Sequence, residues 1–580
     1  MSLLGAWQER RERWSRRPFW RLAAHFGSRL FAGSGESEEG ALELGVGAIL
    51  ALLASPGAFV TILLFQKYSS TIRFFLGQRN FDPYSAALPD QYFFITFSLV
   101  ITGMVTVLKW DSIFPDRRDY MNLAPLPIPT RAIFLANITA ILTIALIFAV
   151  DVNAVSSICF PVLVTMEKPG FSYYVQFASI HFIGVLLASL FIFFAMFALI
   201  GTLMLALPQS VFRRISLAAR VGVVVLLLVL LFTGFAVPPL LRTSPDSRLL
   251  TFLPPVWFLG FSRSLMGIAT PQLARLGLLG IKVTAATLVL AAGVYVLSYY
   301  RYFIRIPEML EITSRSRASG RGTMWRLLDR LILRTPFERA CYRFTIKTLF
   351  RNERHTLFLG SFIGLGLVIA AQGMVSAFAT KPAAVPSADY LSLPFVLSFF
   401  IIGGLRFVFE IPAELRANWV HQMVVDVENH QAASMARKVM LTLVWPWVIA
   451  FVLPLYAWRW GLVVALAHTS VVLVWSYGLA GLLLRGFRKI PFTCPHSPWR
   501  QHAAVMIVMY VFGFFAYASI TPDIEHRLLV GSPWMAIGFA ALGLAWERFW
   551  LRRHDEFEET TLVFDHAEAP PFQMLNLSRN

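Results

Sequence analysis

Twelve apolar stretches, each close to the length a helix needs to cross a bilayer, dominate this chain and leave little room for any other fold. A helix rises about 1.5 Å per residue, so about 20 apolar residues cover a hydrocarbon core of about 30 Å. The stretches run over 44–66, 91–109, 132–150, 176–206, 220–241 and 276–300, then over 356–378, 391–409, 438–458, 460–484, 501–520 and 532–551. Apolar residues resume after Asp151 and Asn153 and continue to Met166, a tail read as interfacial. Composition agrees: 57% of residues are hydrophobic and 14% charged, against about 25% charged in a soluble domain. The expected fold is an all-α polytopic integral membrane protein of about twelve transmembrane helices in two tandem six-helix halves.

The formal charge of +18, from 51 basic and 33 acidic side chains, would point to nucleic acid in a soluble protein. Its placement gives a different reading. Arg10, Arg11, Arg13, Arg16, Arg17, Arg21 and Arg29 precede the first span, and a dense arginine series from Arg301 to Arg354 separates the sixth from the seventh. The even-numbered connections are basic too, with Arg213, Arg214 and Arg220 in one and Arg485, Arg488 and Lys489 in another, while most odd-numbered ones are nearly neutral. By the positive-inside rule, both termini are expected in the cytoplasm of a multi-pass protein of the cell membrane. The lipid bilayer, and no nucleic acid, is the partner this charge implies. One outer loop, 242–275, departs from the pattern with Arg242, Arg248, Arg263 and Arg275 against Asp246.

The first apolar run is too long for a signal-peptide core, so it is expected to act as a start-transfer helix with no cleaved leader. Cys159, Cys341 and Cys494 are scattered without ligand spacing, which supports neither a disulfide framework nor a zinc site.

Six spans, a basic interval and six more spans outline a duplication. The expected divisions are a basic cytoplasmic segment with an amphipathic helix over 1–40, a first membrane half over 41–303, a basic linker with a second amphipathic helix over 304–355, a second membrane half over 356–551, and a cytoplasmic tail over 552–580. "RPFWRLAAHFGSRLF" at 17–31 and "TPFERACYRFTIKTLF" at 335–350 stand at matching places. Each opens on Pro-Phe, has an arginine (Arg21, Arg339) three residues after the proline, and ends in Leu-Phe. Aromatic and aliphatic residues interleave with arginine on a helical period, as in a helix lying along a membrane surface. The Ser/Gly/Arg-rich "EITSRSRASGRGTMWR" at 311–326 reads as linker.

The connection after the second span, "IFPDRRDYMNLAPLPIPTRAIFLAN", joins charges, prolines and a helix start. Asp116, Arg117, Arg118 and Asp119 cannot enter hydrocarbon cheaply. Pro125, Pro127 and Pro129 hold the chain extended, and Thr130 is the expected N-cap of the next span. The result is a stiff cytoplasmic elbow. Its counterpart after span eight is 410–438, opening on Glu410-Ile411-Pro412, where Leu415, Trp419, Val420, Met423 and Val427 recur at helical steps and predict an amphipathic helix.

The charged cluster Asp116 to Asp119, then Leu126-Pro127-Ile128-Pro129-Thr130-Arg131 and the aliphatic run Ile133, Phe134 and Leu135, resembles the signature after the second span of type-2 ABC exporter permeases. A second resemblance is "FLPPVWFLGFSRSLMGIA" at 252–269, similar to the Pro-aromatic re-entrant segment before the last span of such permeases. The second half has only "TPDIEHRLLVGSPW" at 521–534 there and reads as having lost the element. The resemblance implies that each six-helix half pairs with another to form a conduit, and that a separate cytosolic ABC ATPase subunit docks on short cytoplasmic helices. It assigns ATPase coupling to Asp116, Arg117, Arg118 and Asp119, with Glu414 and Arg416 in the second half.

No G-x-x-x-x-G-K-[ST] sequence occurs, so nucleotide phosphates are not held here by that loop. Neither H-E-x-x-H nor G-x-S-x-G is present. No catalytic residue, metal ligand or cofactor is expected on this chain. Within the spans, His468 lies about 12 Å and Lys282 about 9 Å from a helix start, and both are candidates for a substrate path. For His468 the competing reading is a neutral histidine bonded to a neighbouring helix, and for Lys282 a side chain snorkelling outward. His181 and Arg406, nearer span ends, are expected to snorkel too. Trp458 and Trp460 read as interfacial anchors, and Asp523, Glu525 and His526 as a polar turn.

The expected function is thus the membrane-spanning permease of an ABC-type exporter, with hydrophobic or amphipathic cargo. The alternatives are a secondary transporter, for which no mid-span carboxylate is visible, a membrane-embedded lipid-modifying enzyme, and an assembly scaffold.

Overall fold

The computed structural model describes residues 18–31, 46–75, 81–110, 129–166, 170–243, 247–303, 333, 335–378, 385–413, 432–493 and 508–554. Most of both elbows lies outside these residues, including Asp116, Arg117, Arg118, Asp119, Glu414, Arg416 and the amphipathic helix expected between Pro412 and Val427; so do the linker at 311–326 and the tail from 555. Among the described residues the secondary structure is helical, with no strand. Nine helices there are long and apolar enough to cross a membrane, and Pro533–Trp546 is a shorter apolar one. The described residues form two compact units, one up to 303 and one from 333.

In the first unit, α1 (Pro18–Phe31) precedes α2 (Val46–Tyr68), α3 (Leu88–Leu108), α4 (Thr130–Thr165), α5 (Phe171–Ala206), α6 (Gln209–Thr243), α7 (Pro254–Leu265) and α8 (Pro271–Phe303). α3 and α5 are mostly buried and pack on each other, while α6 and α8 turn large apolar side chains such as Leu226, Val289 and Leu297 outward. Apolar faces of that extent suit a lipid solvent. Polar side chains bond across the interior seam: Ser98 Oγ donates to the Val185 carbonyl (3.0 Å), Thr102 Oγ1 to Ser189 Oγ (3.1 Å), and the Asn153 amide to Ser189 Oγ (3.0 Å). Small hydroxyl residues at such a seam let helices approach closely and bond across it.

Two expectations are corrected in this unit. The stretch from Asp151 to Thr165 is no separate interfacial tail, because α4 runs unbroken from Thr130 through Pro161 to Thr165. The Asn153 amide bonds to Ala149 O and Ser189, so the polar residue interrupting the apolar run is absorbed inside the bundle. The cap of α4 is Pro129, with Thr130 its first helical residue.

α7 starts with Pro254 in its first turn, where a missing N–H costs nothing. At 12 residues it is about 18 Å long, too short to cross, and it lies against α3, α5 and α8. Backbone meets backbone in that packing: a Cβ on Gly277 would stand 2.6 Å from Phe261 N, and one on Gly260 would strike the Leu273 carbonyl.

The second unit holds α9 (Pro336–Arg351), α10 (Glu353–Phe378), α11 (Ala388–Val408), α12 (Ala432–Trp447), α13 (Leu453–Trp460), α14 (Leu462–Leu483), α15 (Thr521–Gly531) and α16 (Pro533–His554). α11 is its most buried span. A π-helical turn, Val448–Val452, joins α12 to α13, and another, Ala516–Ile520, leads from the helical residues 508–515 into α15. Each is followed closely by a proline, Pro454 or Pro522. A proline lacks the N–H of the regular ladder, and a widened turn relieves its clash with the preceding carbonyl. Gly461, at φ 91°, makes the tight turn between α13 and α14 that a side chain would strain.

The two units repeat one pairing. α1 packs on α4, burying Leu22, Ala23 and Phe26 against Ile133, Ala136 and Ala140. α9 packs on α12, where Lys438 pairs with Glu338 and the Tyr342 hydroxyl meets Thr442 at 2.9 Å. α9 is fastened at its start by a capping box between Thr335 and Glu338. In each unit an amphipathic helix therefore grips the helix that leaves the elbow.

The element before the last span is present in both units as well, which corrects the reading that the second had lost it. α7 contacts α3 and α8, and α15 contacts their counterparts α11 and α16. Its sequence gave no warning because "TPDIEHRLLVG" is shorter and more polar than its counterpart.

A buried histidine and carboxylate as candidate functional site

Glu525 is not in a polar turn. It sits on α15, 0% exposed, with its Oε1 2.9 Å from Nδ1 of His468, also 0% exposed, on α14. Burial pushes the Glu525 carboxyl above the usual carboxylate range, and the neighbouring His468 opposes that shift. Asp523 and Arg527, on the same helix, pair at the surface (2.9 Å), and His526 Nδ1–H donates to the Pro386 carbonyl (2.8 Å). A helix started by Pro522 at the exit of a π turn separates the three polar residues onto different faces.

Aromatic rings close the site. Tyr456 of α13 stacks on the His468 ring at 4.6 Å between centroids, and Phe395 of α11 meets it edge-on at 6.1 Å. Tyr517, in the π turn, packs on Phe395 and lies 3.2 Å from Ser398 Oγ through its hydroxyl. The Tyr456 hydroxyl donates to the Tyr390 carbonyl. Two polar atoms remain without a partner among the described residues: Nε2 of His468 and Oε2 of Glu525. Buried polar atoms without a partner are costly.

The first unit carries a related arrangement. His181 of α5, 1% exposed, is ringed by Phe94 of α3, Phe160 of α4 and Phe177. Phe94 and Phe395 occupy matching helices, each followed at the same spacing by a glycine on which a close side chain rests: Gly103 beneath Leu227, Gly404 beneath Phe362. Among the described residues, no carboxylate is bonded to His181. Asp90 of the same unit instead accepts from Lys67 Nζ (2.6 Å) and the Tyr68 hydroxyl (2.5 Å). Arg263 of α7 donates from Nε to Gln91 Oε1 (3.2 Å) and from a terminal nitrogen to the Tyr84 carbonyl (2.8 Å).

At the other end of the second unit, a brace surrounds the point where α11 gives way to the elbow. Glu410 is held by both Arg406 and Lys489, and Arg406 Nε donates to the Leu483 carbonyl (2.8 Å). The Ala413 N–H donates to the Phe492 carbonyl (3.0 Å), and His355 stacks on Phe492 at 4.4 Å. Phe492 adopts φ 72°, a conformation a bulky side chain keeps only when its surroundings impose it.

Among residues singled out from sequence, His468 is bonded to a neighbouring helix, through a carboxylate. Lys282 is exposed on α8, in the other unit. His181 and Arg406 do not snorkel: the first is enclosed by rings, and the second finds its acid one helical turn on. Trp458 is exposed, whereas Trp460 packs on Tyr390 and Tyr456. Glu525, Tyr456 and Tyr517 are the site residues that sequence reading missed. The prolines beside both π turns were the available signal.

The spans define a multi-pass helical membrane protein. No family model, curated protein or solved structure matches the chain.

Proposed function

We propose that this chain is the membrane-spanning permease subunit of an ABC-type exporter. It has about twelve spans, lies in the cytoplasmic membrane with both termini inside, and moves a hydrophobic or amphipathic substrate with energy from a separate ATPase subunit. One observation carries the reading: in both units the helix leaving the elbow is gripped by an amphipathic helix, α1 on α4 and α9 on α12. A segment pushed from outside moves a bundle only if its ends are fixed to it. The first elbow starts beyond Trp110, which is buried beside the Arg220 guanidinium, and the second beyond the Glu410 brace. Nucleotide-driven closure of the ATPase would push on residues 111–131 and 410–437, with Asp116, Arg117, Arg118, Asp119, Glu414 and Arg416 as contacts.

Affinity purification in mild detergent tests this. A stoichiometric ATPase subunit is expected to copurify, and to be lost when Asp116, Asp119 and Glu414 are replaced by Asn or Gln. Recovery of the chain alone, under conditions that keep other transporter complexes intact, contradicts the proposal.

A second reading, an ion-coupled transporter, is favoured by the His468–Glu525 pair, since intramembrane acid–histidine pairs serve as proton relays. Under it, transport stops when the ion gradient is collapsed while ATP is maintained.

A further inference from the structure

We propose that His468 and Glu525 form a proton-binding site, and that the proton they hold keeps α15, which packs on α11 and α16, tied to α14 through the His468–Glu525 bond. The inference is independent of which energy source drives transport.

The argument is one of charge. Both side chains are fully buried, and their one mutual bond joins Nδ1 to Oε1. With one proton held between Oε1 and Nδ1 the pair is neutral overall, and no net charge is left in the buried interior. Removing that proton to water leaves a carboxylate beside a neutral imidazole. Among the described residues, His468 is the one ionisable side chain bonded to Glu525. An uncompensated buried charge is among the least tolerable states in a protein. The cheapest relief is for α15 to move and let water reach Oε2, the atom already lacking a partner.

Among the described residues, no surrounding element supplies a substitute charge. α11 brings Asp389 and Tyr390 at its start, and the latter's carbonyl is taken by Tyr456. α13 brings Tyr456, a neutral phenol whose hydroxyl donates to the Tyr390 carbonyl, and Arg459, which lies over Trp460. The π turn brings Tyr517, bonded to Ser398. The Pro533–Trp546 part of α16 has no ionisable residue. On α15 itself Asp523 and Arg527 satisfy each other, and His526 is bonded to Pro386.

The sign of the pH effect follows. The carboxyl is held above the usual carboxylate range in the packed form, so its contribution is complete at acid pH and is lost as pH rises through that elevated value. α15 stays docked at low pH and releases on the alkaline side.

Spin labels at Arg527→Cys on α15 and Val463→Cys on α14, both exposed, would read the separation in purified full-length protein with Cys159, Cys341 and Cys494 changed to serine. A single short distance is expected at low pH, with a longer component growing as pH rises. Glu525→Gln, which keeps the shape but cannot ionise, holds the short distance throughout. Asp523→Asn leaves the transition where it was. Should Glu525→Gln not fold, His468→Gln serves instead: its amide oxygen accepts from the protonated acid but cannot share the proton, so the midpoint moves rather than vanishing. A distance independent of pH in the parent protein, an unchanged transition in Glu525→Gln, or an unmoved midpoint in His468→Gln overturns the proposal.

Discussion

At the scale of single residues, the glycines of α7 and α8 separate packing from propensity. Gly260 faces the Leu273 carbonyl so closely that a methyl group has nowhere to go, while nothing lies within 4 Å of the Cβ position of Gly293 on the same α8 helix. Gly260→Ala is expected to cost about 1–3 kcal/mol by forcing two backbones apart. Gly293→Ala, exposed in a helix interior, is expected to be neutral or to gain up to about 1 kcal/mol. Apparent melting temperatures in detergent check this, and equal falls for the two variants would contradict the close approach. Side-chain pairing was much less legible than this contrast suggests. His468 was visible as an unusual residue in an apolar run, yet its partner Glu525 is 57 positions away. Periodicity reports which face of a helix is apolar and says nothing of which helix lies opposite. His181 and Arg406 were misread for the same reason, since enclosure by rings or by a neighbouring acid comes from tertiary packing.

At the scale of elements, apolar runs located the helices well. The stretch expected over 91–109 is α3, and that over 460–484 is α14. Both amphipathic helices were readable from arginines interleaved with aromatic residues, and they appear as α1 and α9. What escaped was how helices end. α4 continues past Asp151 because Asn153 finds a partner on α5, and α15 forms because a π turn prepares Pro522. The grip of α9 on α12 depends on Glu338, nearly buried, and Lys438, which reaches water. Lys438→Ala removes that ion pair between the two helices, a loss of about 1–3 kcal/mol. Hydrogen exchange should then quicken in α9 and stay unchanged in α14. Unaltered exchange in α9 would mean that apolar contacts alone hold the helix.

At the scale of the whole molecule, the two units repeat an order of elements more faithfully than they repeat residues. Each has a gripping helix, a buried second span, a third span held by the grip, a fourth span carrying a buried histidine, and a short helix before the last span. They differ in chemistry at the histidine, which is enclosed by phenylalanine rings in the first unit and bonded to an acid in the second. Few sequence letters preserve this repetition, among them Pro-Phe, one arginine and Leu-Phe in the gripping helices and a phenylalanine nine residues before a glycine in the second span. Burial and packing tolerate many apolar substitutions, so the architecture outlasts the text. The central proposal is that an external ATPase works this bundle through two cytosolic elbows. The most direct test is labelling of single cysteines, placed at Asp116 and at Glu414, with a membrane-impermeant reagent in intact cells and in inverted vesicles. Both positions are expected to react in inverted vesicles alone; reaction of either in intact cells would put an elbow where no cytosolic ATPase can reach it and would contradict the account.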